Sequence, residues 1–306
     1  MRIVIAPAST KAAAATIRSL LSLAKEDIQI KGYYRNLSRV PAEFQSSPRF
    51  QAVEGTIEDA SSLDFAGCDA VLTITPPSFS GRDLVSHAKE ISENVKAAVE
   101  KAGSVKRLVL LSSVGAEHDT GVGEIKSNNM AERVFAETPI PELIFVRCVY
   151  FMENWTFFLD TLHGPEPHVI STITPVDFNV PMVAVQDVGS TLASELVKES
   201  APPSKPFVFE LHGPKMYSPL DVQSCFSKAV GQDVAMKPVE KHELHNFYAR
   251  LFPPEIVDDW VEMATSFLPG GIIAVDKVNW DEKEIVRGKT ELCQVIESAV
   301  QNRQQG

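Results

Sequence analysis

The sequence has few of the features that mark metal-binding, membrane or nucleic-acid-binding proteins. Its four cysteines stand far apart, in none of the CxxC-type spacings of metal sites. No apolar run approaches the roughly 20 residues that cross a bilayer. The 40 acidic residues outnumber the 29 lysines and arginines, and the net charge of −11 repels nucleic acid and anionic lipid. We therefore expect no metal, no nucleic-acid partner and no membrane.

The cysteines and the start of the chain also bear on location. Cysteines without metal spacing are usually buried as small apolar side chains, so we expect thiols of the core. The first predicted strand begins at residue 2, and no signal peptide precedes it. Together these observations favour a reducing, cytoplasmic setting.

Spaced glycines are missing from the first strand–turn–helix segment, MRIVIAPASTKAAAATIRSLL. In a dinucleotide-binding domain this turn carries three glycines, which let the helix N-terminus approach a pyrophosphate. Here Ala6, Ser9 and Ala12 take the three places, and Pro7 removes an amide donor. Polar groups that could partly compensate stand at the helix start: Ser9, Thr10 and Lys11. The segment is either a modified nucleotide site or a plain strand–helix connection.

Strands and helices alternate through the first half of the chain. The predicted strands are Arg2–Ala6, Ile28–Tyr34, Phe50–Glu54, Asp69–Thr75, Val105–Ser113 and Leu143–Arg147. The predicted helices are Thr10–Ala24, Asp83–Ala102 and Ile125–Glu137. This alternation predicts an α/β fold with a doubly wound parallel sheet, a Rossmann lobe over residues 1–150. Ligands of such folds bind beyond the carboxyl ends of the strands.

The second half, residues 151–306, is less regular. It predicts a smaller α+β lobe that caps the open end of the sheet, and segments may cross between the lobes. The predicted helices are Phe151–Thr161, Val188–Lys198, Pro219–Val230, Glu240–Leu251, Pro254–Phe267 and Thr290–Val300. A strand is predicted at Phe207–Leu211, and a proline-rich hairpin or loop at Ile170–Pro181.

The end of the second predicted strand, YYRNLSRVP, contains no acid. An acidic residue there accepts the ribose hydroxyls of NAD, whereas an arginine accommodates the 2′-phosphate of NADP. Arg35 takes this place, with Ser38 and Arg39 close behind. Two guanidinium groups and a hydroxyl favour a phosphate site. The alternative is a solvated basic loop.

Six segments, in order along the chain, resemble the NmrA-like family of atypical short-chain dehydrogenases. They are TPP, SSVGAEH, GEIKSNNMAE, RCVYFMENW, VPMVAVQDVG and VRGKTELCQVI. The resemblance spans nearly the whole chain. It implies a Rossmann lobe that binds NADP(H), sometimes NAD(H), and a smaller substrate lobe. The first turn departs from the family, whose members usually keep three glycines there.

The resemblance also assigns residues. Arg35 matches the family's 2′-phosphate arginine, and the TPP turn matches the adenosine side of the cofactor. With the first turn included, the predicted cofactor contacts are Ala6, Ser9, Thr10, Lys11, Arg35, Ser38, Thr75, Pro76, Pro77, Ser112, Ser113, Lys126, Val149 and Phe151. The predicted substrate contacts are Tyr150, Asn154 and Trp155.

The Tyr-x-x-x-Lys catalytic pair of ordinary short-chain dehydrogenases is incomplete. Lys126 holds the lysine place, but Val122 holds the tyrosine place. The proton donor of a reduction must then be Lys126, Tyr150, His118 or water. Lys126 could serve if burial lowers its pKa. The alternatives are a solvated lysine at a helix start and a histidine on a polar loop.

Aromatic residues are frequent in the second half. They are Trp155, Phe157, Phe158, Phe247, Tyr248, Phe252, Trp260 and Phe267. They could line a pocket for an apolar substrate, but aromatics at helical spacing more often form a core. His242 and His245 have no third metal ligand in view.

Three functions remain open. The first is an NADPH-dependent reductase of a C=C, C=N or C=O bond in a small, largely apolar metabolite, as in secondary metabolism. The second is a non-enzymatic NADP(H) sensor that binds a protein partner. The third is a redox-neutral cyclase or isomerase on a decayed cofactor site. A homodimer is compatible with each of them.

Overall fold

The computed structural model describes residues 1–25, 27–277, 279 and 283–305. The strands of this part are β1 (Arg2–Ala6), β2 (Gln29–Tyr34), β3 (Phe50–Glu54), β4 (Ala70–Ile74), β5 (Arg107–Ser113), β6 (Glu142–Cys148), β7 (Tyr150–Phe151), β8 (His168–Ser171), β9 (Val180–Val183), β10 (Phe207–His212), β11 (Met216–Tyr217), β12 (Ala235–Pro238) and β13 (Ile285–Arg287). Its α-helices are α1 (Lys11–Ser22), α2 (Ala42–Gln45), α3 (Leu84–Ala102), α4 (Lys126–Ala136), α5 (Val185–Val197), α6 (Pro219–Val230), α7 (Leu244–Tyr248), α8 (Pro254–Ser266) and α9 (Leu292–Gln305).

Eight strands form one parallel sheet in the order β13-β10-β6-β5-β4-β1-β2-β3. The inner strands β4 and β5 are buried along almost their whole length, because helices cover both faces. One face packs on α1 and α5, the other on α3 and α4. The predicted doubly wound α/β fold is confirmed.

Helices α1 and α5 approach each other unusually closely. A Cβ atom added at Gly189 of α5 would lie 2.5 Å from the backbone carbon of Ala15 in α1. Only glycine fits at such a distance, so this residue sets the spacing of the two helices. Since α5 follows residue 151 and covers the first lobe, the chain crosses between lobes.

The central sheet also draws on the second half of the chain. Strand β10 pairs with β6, and β13 pairs with β10, so both extend the sheet from beyond residue 150. The rest of the second half forms its own apolar cluster around Met152, Phe226 and Ile296. The lobe predicted over residues 151–306 is therefore interleaved in sequence with the Rossmann lobe.

Some expectations for the second half were wrong in detail. Of the hairpin or loop predicted at Ile170–Pro181, the loop is found, since β8 pairs with β12, and β9 pairs with β7 and β11. Met152–Leu162 is a 3₁₀ helix. The single helix expected at Glu240–Leu251 is a 3₁₀ turn followed by the short α7. These elements take their form from long-range partners, which local sequence periodicity does not reveal.

The expectation that all cysteines are core thiols was also wrong. Cys225 of α6 and Cys293 of α9 form a disulfide across 68 residues of sequence. Cys68 and Cys148 are free and buried, and burial raises the pKa of both thiols. Disulfides are rare in reducing compartments, so the cysteines no longer favour a reducing compartment. The cytoplasmic location stays a prediction. Among the described residues, no helix is long and apolar enough to cross a bilayer.

Candidate functional site

The carboxyl ends of all eight strands lie at one edge of the sheet, since its strands run in parallel. Strand β1 lies between β2 and β4. After β1 the chain adds β2 and β3 on one side of it, and then crosses over to add β4 on the other side. This reversal of strand order opens a crevice, which is where doubly wound sheets bind ligands. The first turn, from β1 to α1, stands at its centre.

The first turn closes without glycine. Among the described residues, none other than glycine has a positive φ, so Ala6, Ser9 and Ala12 all adopt ordinary backbone conformations. The Thr10 hydroxyl caps α1 by accepting from the Ala13 amide at 3.1 Å. Ser9 and Lys11 are exposed at the helix start. An anion such as a pyrophosphate fits this helix start, where it would meet the remaining free amides of α1, the Ser9 hydroxyl and the Lys11 ammonium group.

The end of β2 presents Arg35 to solvent, with 74% of its side chain exposed. Among the described residues it forms an ion pair with Glu58, 3.6 Å away, an exposed contact that holds the guanidinium weakly. The Asn36 side chain accepts from the Ser38 amide at 2.9 Å and fixes the turn. Arg35 and Ser38 therefore fit a phosphate group beside β2.

The TPP turn follows β4 directly. Thr75 is buried, and Pro76 and Pro77 are half-buried. One residue before the end of β4, the Thr73 hydroxyl donates to the carbonyl of Ala6 at 3.0 Å and ties the turn after β4 to the first turn. The predicted adenosine-side residues thus lie next to the first turn, and their contact with the cofactor stays a prediction.

The two serines that close β5 point in opposite directions. The Ser112 hydroxyl donates to Glu132 of α4 at 2.6 Å, and Glu132 also accepts two hydrogen bonds from Arg147, at 2.9 and 2.7 Å. The Ser113 hydroxyl donates to the carbonyl of Val114 at 3.1 Å. Ser112 is therefore held in an internal network, and the predicted role of both serines beside the nicotinamide is not tested by these contacts.

Lys126 is held by the second lobe. Its Nζ lies 2.8 Å from Asp259 and 3.6 Å from Glu262, both on α8. Burial alone would lower the pKa of Lys126, but these two carboxylates outweigh it and leave the pKa raised. The condition under which Lys126 could donate a proton, a pKa lowered by burial, is therefore not met. Lys126 is instead a fixed cation.

Helix α8 packs directly on the residues before Lys126. Val122, in the place of the missing tyrosine, is fully buried in an apolar contact with Met263 of α8 and Ile273. Gly123 has φ +56°, and a Cβ atom there would lie 1.9 Å from the carbonyl oxygen of Asp259. The Gly123 amide donates to Glu262 at 2.8 Å. The tyrosine place is thus filled by a contact between the lobes.

Tyr150 begins the second lobe, just beyond β6. Its ring centroid lies 6.1 Å from that of Trp155 and 6.0 Å from that of Phe267, and its hydroxyl bonds to the Asn154 side chain. Burial raises the pKa of Tyr150, so the phenol stays protonated at neutral pH. Trp155 is buried, and its Nε1 donates to the sulfur of Met182 at 3.4 Å.

The remaining predicted residues are less engaged. Val149 is buried in the core beside β10, and Phe151 is half-buried against that core. His118 is half-buried on the turn after β5, where its amide donates to the carbonyl of Gly115. Within the described ranges, no group of three metal-ligating side chains is present. The side chain of Phe158 lies outside the described part of the chain.

Sequence reasoning missed three residues of this region. Asp259 and Glu262 contact Lys126, and Phe79 stacks on Phe252 and Trp260 of the second lobe. Phe79 follows the TPP turn by two residues, which was a usable signal. The two acids looked like ordinary exposed residues of an amphipathic helix.

The sequence also matches a known family. Residues 8–138 match the model of an NAD(P)H-binding family, and no curated protein matches the sequence. Residues 8–138 of this chain are therefore similar to NAD(P)H-binding domains. This confirms the predicted cofactor class, and the residues of the first turn and of the β2 end fit such a cofactor.

Similar solved structures cover almost the whole chain. Triphenylmethane reductase from Citrobacter sp., complexed with NADP(H), is 19% identical, with a TM-score of 0.74 over 97% of this chain and 99% of that one. The NADPH-dependent quinone oxidoreductase QOR2 from Escherichia coli is 17% identical, with a TM-score of 0.69 over 97% and 99%. NmrA, a negative transcriptional regulator, is 16% identical, with a TM-score of 0.67 over 99% and 97%. These matches confirm the Rossmann fold.

Proposed function

We propose that this protein is an NADPH-dependent reductase of a C=C, C=N or C=O bond in a small, largely apolar compound. The observation that carries the proposal is the exposed guanidinium of Arg35 directly after β2, in an NAD(P)H-binding domain that has no acid there. Arginine binds a phosphate through charge-assisted hydrogen bonds, and an acid at this place would bind the ribose of NAD instead. Two proteins of similar fold, a triphenylmethane reductase and an NADPH-dependent quinone oxidoreductase, support the reaction type.

Different residues of the chain would bind the cofactor and the substrate. Ser9 and Lys11 would bind the pyrophosphate at the start of α1, and Arg35 the 2′-phosphate. When bound, NADPH supplies a hydride. The fixed charge of Lys126, paired with Asp259, would lie at the other end of the crevice. The protonated hydroxyl of Tyr150 would donate a hydrogen bond to a substrate oxygen or nitrogen.

A second function, an NADP(H)-responsive regulator, is favoured by the contacts of the catalytic places. Val122 is buried by the second lobe, and Lys126 is paired with Asp259 and Glu262 of α8. Both places of the usual catalytic pair therefore hold the lobes together. The regulator NmrA has a similar fold. In such a protein, cofactor binding would change the lobe arrangement that a protein partner recognises.

Cofactor titration followed by a substrate panel tests the proposal. Purified protein is titrated with NADPH by calorimetry, and NADPH oxidation is then followed with ketones, enones, quinones and iminium compounds. A reductase binds NADPH and oxidises it with at least one class. Saturable binding without oxidation across the whole panel would favour the regulator. No binding at millimolar NADPH would leave the redox-neutral cyclase or isomerase.

A further inference from the structure

Four aromatic side chains form a stack where the loop after β4 meets the second lobe. The centroids of Phe252 and Trp260 are 4.4 Å apart, and Tyr248 and Phe79 each lie 5.7 Å from Phe252. The planes of these three pairs are inclined by 22°, 23° and 22°. We call Phe79, Tyr248, Phe252 and Trp260 the aromatic stack. Near-parallel rings of this kind offer a surface for another flat ring.

Trp260 holds a hydrogen-bond donor that the protein does not use. Its Nε1 is buried and has no hydrogen-bond partner among the described residues. The indole of Trp155, by contrast, donates to Met182. An unpaired buried N–H is unfavourable, and tryptophan nitrogens usually find a partner when buried. The unused donor indicates that an acceptor atom from outside the chain belongs there.

Phe79 is the most exposed ring of the stack. Phe79 is 55% exposed, on the loop two residues after Pro77, and its ring lies 6.1 Å from that of Trp260 at an inclination of 21°. It therefore occupies a place that a flat ligand ring could take.

The stack adjoins the proposed reaction site on two sides. Phe79 follows the TPP turn, and Trp260 is the neighbour of Asp259, which binds Lys126. The phenol of Tyr248 also interacts electrostatically with Tyr150 and, after burial, contributes to the raised pKa of Tyr150. A ligand in the stack would thus lie near residues that flank Lys126 and Tyr150.

The charge around the stack sets the charge of the ligand. Helix α8 carries Glu255, Asp258, Asp259 and Glu262 around Trp260. The pairing with Lys126 offsets part of this charge, and the helix remains acidic. An anionic ligand would be repelled, so the acceptor that meets the indole is a neutral one.

We propose that the aromatic stack is the substrate subsite for a neutral, planar, conjugated ketone, whose oxygen accepts a hydrogen bond from Trp260 Nε1–H. Naming this ligand as the substrate rests on the proposed function. The binding itself does not, because neither the stack nor the indole donor needs a cofactor.

The test compares two flat bicyclic probes without cofactor, chromone with a ring ketone and naphthalene without an oxygen. Their affinities for the full chain are measured by calorimetry, for the natural protein and for Trp260→Phe, which keeps a ring and removes the N–H. We expect chromone to bind at least tenfold tighter than naphthalene. Trp260→Phe should weaken chromone at least fivefold and naphthalene less than twofold. Chromone-2-carboxylate should bind at least tenfold more weakly than chromone.

Equal binding of chromone and naphthalene, no binding of either, or no effect of Trp260→Phe on chromone would overturn the subsite. If the variant does not fold, the indole N–H signals of the natural protein decide, because chromone must shift one of them and naphthalene must not shift it downfield. A protein that binds NADPH but not chromone loses this subsite and keeps the proposed function. One that binds chromone but not NADPH keeps the subsite and loses the proposed function.

Discussion

The two ends of the crevice differ in how their side chains are used. At the first turn and the end of β2, the polar side chains of Ser9, Lys11 and Arg35 face solvent with few partners inside the protein. At the far end, Val122 and Lys126 are engaged by α8 of the second lobe. The first end thus leaves exposed the side chains that we propose to bind the cofactor. The second has replaced the usual catalytic pair by a contact between lobes, so binding and chemistry depend on different parts of the chain.

The largest expected effect concerns the close contact at Gly123. Replacing Gly123 by alanine places a Cβ 1.9 Å from the backbone of Asp259, so α8 must move away from the Rossmann lobe. We expect a loss of about 3 kcal/mol or more in unfolding free energy, measured by denaturant titration.

Gly103 provides the matched control for this change. It also has a positive φ, +63°, but a Cβ there meets nothing within 4 Å. Gly103→Ala should cost only about 1 kcal/mol, the backbone penalty alone. Equal losses in the two variants would mean that α8 does not pack on Gly123 as described.

A smaller effect is expected from Asp259→Asn, which removes the main partner of Lys126. The pair is mostly buried, so the variant should lose about 1 kcal/mol of unfolding free energy at pH 7. Asp258→Asn is the control, because Asp258 is exposed and only 3.5 Å from the exposed His245. It should change the unfolding free energy by less than about 0.5 kcal/mol.

The same pair predicts a pH dependence. The pKa of Lys126 in the folded protein is raised above its ordinary value of 10.5. Its pairing therefore stabilises the fold fully at pH values below about 10 and is lost as the pH rises through the raised pKa. Thermal unfolding from pH 7 to 11.5 should show a constant gap between the natural protein and Asp259→Asn up to about pH 10, closing above it. A gap that widens there would contradict the assignment.

The smallest effect sharpens the view of the first turn. Lys11→Ala should weaken NADPH and NADH equally, roughly fivefold, because the pyrophosphate is common to both and one exposed charge contributes about 1 kcal/mol. Lys89→Ala, which removes an exposed lysine of α3, should leave both affinities within twofold. A loss confined to NADPH would place Lys11 on the 2′-phosphate instead.

The parts of the molecule that the sequence predicted are those set by local pattern. The apolar runs of β4 and β5 and the alternation of strands and helices led to the parallel sheet, and the missing acid after β2 drew attention to Arg35. The sequence did not predict the disulfide between Cys225 and Cys293 or the ion pairs of Lys126 with α8. They join residues far apart in the chain, as the 139 residues between Gly123 and Glu262 illustrate. No local spacing or periodicity records such contacts.

The central claim is that the crevice holds NADPH with its 2′-phosphate on Arg35. The most direct test is the ratio of NADH to NADPH dissociation constants, measured by calorimetry for the natural protein, Arg35→Ala and the control Arg39→Ala. Arg35→Ala should weaken NADPH about tenfold or more, the effect of one charged hydrogen-bonding group, and NADH less than twofold. Arg39→Ala should change the ratio far less. Equal losses of both cofactors on Arg35→Ala, or an unchanged ratio, would contradict the account.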